Sequence, residues 1–177
     1  MNKKSGFTLA EALVTLMIIG VVAAMTIPSL MQNTAQQEFK AAYKKAISTL
    51  NQAVTLNYAL DGEDATSFKT TKFYDLLTKR LNVMSTSLND WVYTADGAFF
   101  QVMPAYSIGG VQVGNCETDG AGATYPCAAV IIDVNGPKGP NKFSQGTQSV
   151  YDMFTAFIYP QKALPAGQTM SDILYAK

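Results

Sequence analysis

Ser5-Gly6-Phe7-Thr8-Leu9-Ala10-Glu11, followed by Ala12-Leu13-Val14-Thr15-Leu16-Met17-Ile18-Ile19-Gly20-Val21-Val22-Ala23-Ala24-Met25, decides how the chain is read. From Ser5 to Gln37 the one charged residue is Glu11. A helix needs roughly 20 apolar residues at ~1.5 Å each to cross a bilayer core, and Phe7 to about Ile27 meets that. Lys3 and Lys4 precede the run, which places the N-terminus on the cytoplasmic side and the rest of the chain across the membrane. Two plain readings compete. A secretory signal also has a basic start and an apolar run, but Val22-Ala23-Ala24 is the best cleavage candidate and more apolar residues follow it. A simple signal anchor explains the hydrophobicity but not the acid at Glu11.

Composition narrows the function classes. Of the 177 residues 48% are hydrophobic and 15% charged, a low charged share for a domain that meets only water. The length suits one domain with a core of its own. Lys plus Arg and Asp plus Glu are balanced at 13 each, so no global field steers the chain towards nucleic acid. Loss of Lys3 and Lys4 would leave 11 against 13. There is no histidine, which removes the commonest general base and metal ligand and every Ser-His or Cys-His pair. With no nucleophile motif and no phosphate loop either, an enzyme is not expected.

The run Gly6-Phe7-Thr8-Leu9-Ala10-Glu11 before a long apolar stretch resembles the class III signal of type IV prepilins and type II secretion pseudopilins. The resemblance implies cleavage between Gly6 and Phe7 by a prepilin peptidase, which also methylates the new amine on Phe7. It makes Glu11 the filament-assembly residue and places Gly20 and Pro28 where such helices carry a loosening glycine and proline. A carboxylate deep in a bilayer costs roughly 2.5–3.5 kcal/mol on insertion scales, so Glu11 needs a partner. The cationic amine of a neighbour's Phe7 would supply one, and methylation keeps its charge. A shallow Glu11 at a helix N-terminus, favoured by the helix dipole, is the simpler alternative, and the two can coexist.

Beyond Pro28 the pattern turns amphipathic. Phe39, Tyr43, Ile47, Leu50, Val54 and Tyr58 recur at three- and four-residue steps, with Lys40, Lys44 and Lys45 mainly off the stripe. One helix from 7 to about 59, roughly 80 Å long, is expected, kinked or melted at Pro28, whose missing N–H cannot reach the carbonyl of Ala24. Asp61-Gly62-Glu63-Asp64 ends it. Thr71 to Leu81 has a helical period. Trp91-Val92-Tyr93 and Ala98 to Met103 then alternate around Thr94-Ala95-Asp96-Gly97, which signals a hairpin. Ala128 to Val134 suits a central strand. Asp152 to Tyr159 reads as a strand apolar on both faces, one against the helix and the other facing a C-terminal flap. The expected fold is α+β and pilin-like: a long N-terminal helix, membrane-spanning in its first half, on an antiparallel sheet of about four strands. Its parts are a leader (1–6), a transmembrane and filament-core helix half (7–30), an amphipathic half (31–60) and a globular head (61–177). The phrases Ala95-Asp96-Gly97 and Asp133-Val134-Asn135-Gly136-Pro137-Lys138-Gly139-Pro140-Asn141 also look like those of small pseudopilins and minor pilins.

Three further groups invite chemistry. Asp133, Asn135 and Asn141, with Asp152, offer oxygens for calcium, which some major pseudopilins bind in a late loop. The stretch fails the EF-hand template, however, and a turn with Asn and Gly at positive φ is the favoured reading. No cofactor is therefore expected, with calcium as the alternative. Cys116 and Cys127 bracket a Gly-rich polar loop. Their spacing excludes a redox Cys-x-x-C, further zinc ligands are lacking, and a structural disulfide in an oxidising compartment is expected over two reduced thiols. Lys40, Lys44 and Lys45 around Tyr43 could form a small nucleic-acid patch, but lipid headgroups or neighbouring subunits are the expected partners.

The resemblance thus implies a structural subunit of a type IV pilus or type II secretion pseudopilus. Its partners would be copies of itself or related pilins, the prepilin peptidase and methyltransferase, and an inner-membrane assembly platform. It would sit in the inner membrane with a cytoplasmic N-terminus and a periplasmic or extracellular head before assembly. The alternative is a signal-anchored binding or adhesion protein that does not polymerise.

Overall fold

A computed structural model of the protein describes residues 8–67, 70–86, 91–103, 107–108, 111–114, 116 and 125–175. The chain divides into two units, Met1–Gln37 and Glu38–Lys177. Helix α1 (Leu9–Asp61) contributes to both. It is unbroken through Pro28, so the melted turn expected there does not form. Its end is where Asp61-Gly62 placed it: Gly62 takes a left-handed φ of 69° and donates its N–H to the carbonyl of Tyr58 at 3.0 Å.

In the first unit, none of the helical residues 9–37 is buried. This stretch includes a window with a mean hydropathy of 2.3, long and apolar enough to cross a membrane. Its threonine hydroxyls are satisfied within the helix. Thr15, Thr26 and Thr34 donate to the carbonyls of Ala12, Val22 and Leu30 at 2.9, 3.0 and 2.9 Å. A polar group bonded in this way costs little to place in an apolar surrounding.

The second unit is built around an antiparallel sheet. Its strands are β1 (Val83–Thr86), β2 (Trp91–Thr94), β3 (Phe99–Met103), β6 (Ala128–Asp133), β7 (Met153–Ile158) and β8 (Ala163–Pro165), in the spatial order β1-β2-β3-β6-β7-β8. A separate ribbon pairs β4 (Ser107–Ile108) with β5 (Val111–Gln112). The four strands expected from alternation are the four central ones, and β1 and β8 extend the sheet at its edges. They escape a sequence reading for physical reasons. β1 is almost wholly exposed and carries no apolar alternation, while β8 has three residues and ends in Pro165, which an edge strand tolerates.

Register sorts the two faces. Val92, Phe100, Ile132 and Phe154 are cross-strand partners in one row, and all four are buried. Against that face lie Tyr43, Ala46, Ile47, Leu50, Ala53 and Val54 of α1, together with Phe73, Leu76 and Leu77 of α2 (Thr70–Arg80). Helix α3 (Gly167–Tyr175) adds Met170, Ile173 and Leu174 to the same core. Each large side chain buried here contributes about 1.5–3 kcal/mol. The amphipathic stripe is therefore core, with one exception: Tyr58 is 45% exposed, and Asn57 is buried beside it, donating to the carbonyl of Glu63 at 3.0 Å. The other face of β7 holds Phe157, which clusters with Ala129, Val113 and Ala166. That face is thus covered by Val113 from the middle of the chain as well as by Ala166, whereas α3 lies with the main core.

Candidate functional site

The helix N-terminus is closed by a reciprocal cap. Glu11 Oε2 accepts the backbone N–H of Thr8 at 2.9 Å and its hydroxyl at 2.8 Å, while Thr8 Oγ1 accepts the N–H of Glu11 at 3.3 Å. This is a Thr-x-x-Glu capping box, in which two otherwise orphaned N–H groups are satisfied and an acid lies at the positive end of the helix dipole. Glu11 Oε1 has no partner among the described residues. The role of Thr8 emerges from this geometry, and its signal in the sequence is the Thr-x-x-Glu spacing before an apolar run. Gly6 and Phe7, the expected cleavage and methylation residues, lie outside the described residues. A side chain at Gly20 would meet nothing within 4 Å in this chain, so packing within the chain does not require glycine there.

The loop after β6 gathers the calcium candidates, and backbone N–H groups occupy both oxygens of Asp152 and one of Asp133. Asp152 is fully buried; its two oxygens accept the backbone N–H groups of Asn141 at 2.8 Å and Lys142 at 2.9 Å. Asp133 Oδ1 accepts the N–H of Asn135 at 3.2 Å, and Asn135 Nδ2 donates to the carbonyl of Gly139 at 3.0 Å. Asn135 Oδ1 is buried without a hydrogen-bond partner among the described residues. Gly136, Gly139 and Asn141 take φ of 64°, 34° and 50°, the left-handed turn conformations expected of Gly and Asn. Burial raises the Asp133 carboxyl to about 6, with the neighbouring charge of Asp152 adding to the rise and the backbone N–H groups of Asn135 and Gly136 opposing it. Among the described residues no three His, Cys, Asp or Glu side chains form a metal-binding group.

Cys116 and Cys127 form a disulfide. It joins the segment after β5 to the residue before β6 across a loop of about a dozen residues, where a crosslink contributes roughly 3 kcal/mol in the chain-entropy model. The lysine group does not make a stacking patch. Tyr43 is buried, stacked on Phe154 with ring centroids 4.2 Å apart, and its hydroxyl donates to the carbonyl of Thr155 at 2.9 Å. Burial pushes its phenol well above the usual range. Lys45 pairs with Asp96 at 2.9 Å, which ties α1 to the β2–β3 turn.

With this geometry in place, comparison with known proteins gives a class first. Residues 1–27 match the family described as the prokaryotic N-terminal methylation motif, so the chain carries that motif across its apolar run. More particularly, the chain is similar to the type II secretion system core protein G of Aeromonas hydrophila, at 41% identity over 60 residues. That alignment covers 34% of this chain and 37% of the relative. It is 43% identical over 60 residues to the protein of the same description from Escherichia coli (strain K12), with the same coverage. The chain thus spans just over a third of the length of the curated relatives it matches. No solved structure matches it significantly.

Proposed function

We propose that this protein is a non-enzymatic structural subunit of the pilin or pseudopilin kind, cut after Gly6, methylated on Phe7 and polymerised through its N-terminal helix. The observation that carries this reading is the coincidence of the methylation motif over residues 1–27 with a helix segment that buries none of its apolar side chains and holds one acid, Glu11. A segment of that composition is stable only among lipid tails or other apolar helices. Glu11 Oε1, which takes no partner among the described residues, supports a second role beside the cap: accepting the cationic amine that cleavage creates on Phe7 of a neighbouring subunit. Copies of the chain or related pilins, the peptidase and methyltransferase, and an inner-membrane platform are its partners in this reading, with the head on the far side of the membrane. The disulfide supports an oxidising location for the head. The loop of residues 133–152 serves as a structural turn in this reading, since backbone N–H groups already occupy both Asp152 oxygens.

The test is Glu11→Ala. Processing continues while incorporation into filaments falls about tenfold or more, the cost of leaving one charge of a pair alone in an apolar site. Unchanged incorporation points instead to a non-polymerising anchored protein.

A further inference from the structure

On the face of the sheet opposite α1, next to the buried row, runs a second cross-strand row: Tyr93, Phe99, Asp133 and Met153 are successive partners on β2, β3, β6 and β7. Paired residues of an antiparallel sheet project to the same side, so a carboxylate stands in line with two aromatic rings. Trp91, two residues before Tyr93, extends the aromatic wall on that side. The Trp91 and Phe99 rings meet edge-on at 6.4 Å, and the Tyr93 and Phe99 rings at 3.9 Å. Together with Asn141 from the loop, these side chains line a cavity of about 350 Å³. The close fit of the loop holds this arrangement, since a Cβ on Gly136 would come within 3.0 Å of the Phe99 ring.

The chemistry of this cavity is specific. Asp133 is only 6% exposed and has no cationic partner among the described residues. Lys142, which follows Asn141 in the chain, directs its Nζ over the Tyr151 ring at 5.7 Å. The three aromatic residues are half-buried, so part of each is accessible from solvent. Aromatic faces attract cations through the ring quadrupole, and a desolvated carboxylate among them adds full opposite charge. A neutral ligand would leave that charge uncompensated.

We propose that the Trp91–Tyr93–Phe99–Asp133 cavity binds an organic cation, a guanidinium or alkylammonium group carried by a polypeptide side chain or by a free amine. The aromatic rings supply faces for the cation and Asp133 the counter-charge. This site is independent of the polymerisation reading, because every residue in it belongs to the head.

Trp91 is the single tryptophan of the chain, so its fluorescence reports on this cavity directly. Full-length protein in a polyoxyethylene detergent, which carries neither amine nor sugar, is titrated with four probes: acetyl-arginine amide, acetyl-lysine amide, tetramethylammonium, and acetyl-glycine amide as the neutral control. The cations produce a saturable change in Trp91 emission and the neutral amide does not. Stronger binding of the amino-acid amides than of tetramethylammonium assigns the cation to a polypeptide, and the reverse order assigns it to a free amine. Asp133→Asn, which keeps the side-chain shape and an acceptor for the Asn135 N–H, weakens cation binding about tenfold. Tyr93→Leu, which keeps the charge but removes one ring, weakens it about threefold. Equal responses to neutral and cationic probes, or undiminished cation binding by Asp133→Asn with a wild-type circular dichroism spectrum, would each overturn the assignment.

Discussion

Residues 9–37 and 38–61 both belong to α1 but use their side chains in opposite ways. In the earlier stretch Leu16 is 70% exposed and its apolar neighbours are likewise uncovered; in the later one Tyr43 and Leu50 have no exposed surface. Hydropathy alone would rank the earlier stretch as the better core. An apolar residue thus reports only that it needs a dry surrounding, and the fold of the chain decides whether it supplies one. The later stretch obtains it from the sheet and α2. The earlier one is left uncovered.

Substitutions can break this contrast. Tyr43→Ala removes a fully buried ring stacked on Phe154 and the hydrogen bond to the Thr155 carbonyl, so the head loses about 3–5 kcal/mol of stability. Leu16→Ala leaves thermal unfolding of the head, followed by Trp91 fluorescence in detergent, within about 0.5 kcal/mol of the wild type. A Leu16 effect as large as that of Tyr43 would mean that the two stretches are not distinct.

Asp152→Ala comes next in size. Two backbone N–H groups, those of Asn141 and Lys142, lose their acceptors in a buried site, and the expected loss is about 2–4 kcal/mol in the same melting experiment. Calcium serves as a control. If added calcium leaves the wild-type melting temperature unchanged, the carboxylate works through backbone hydrogen bonds, whereas a saturable calcium-dependent rise assigns it to a metal.

A smaller effect sharpens the comparison within the loop itself. Burial raises Asp133 to about 6 in the folded state, above the ordinary carboxylate value of 3.8. The folded chain therefore holds this proton more tightly than the unfolded chain does. The corresponding stability is present below about pH 4 and lost as pH rises through about 6. Asp133→Asn removes that loss, so the variant is about 1–2 kcal/mol more stable than the wild type at pH 7 and equal to it near pH 4. A variant less stable at pH 7 would show that the charged form is favoured by the fold.

Much of this architecture was legible because periodicity carries it. The step of three and four through Tyr43, Ile47, Leu50 and Val54, and the alternation around Thr94-Ala95-Asp96-Gly97, both follow from burying one face. What escaped had little periodicity to show. β4 and β5 have two residues each, β1 faces solvent, and α3 spans nine residues, so Met170, Ile173 and Leu174 give barely more than one turn of stripe. The calcium set illustrates a different limit. Asp133, Asn135, Asn141 and Asp152 do gather around one loop, but a sequence lists oxygens without showing which N–H groups they accept from. The aromatic-acid row was hidden for a related reason: Tyr93, Phe99, Asp133 and Met153 become neighbours only through strand register.

The most direct measurement is the mass and N-terminal sequence of the protein isolated from its own membranes. The expected chain begins at Phe7 with a methylated amine and retains the Cys116–Cys127 bond, two daltons below the reduced mass. A chain that keeps Lys3 and Lys4, or one cut near Ala24, would contradict it.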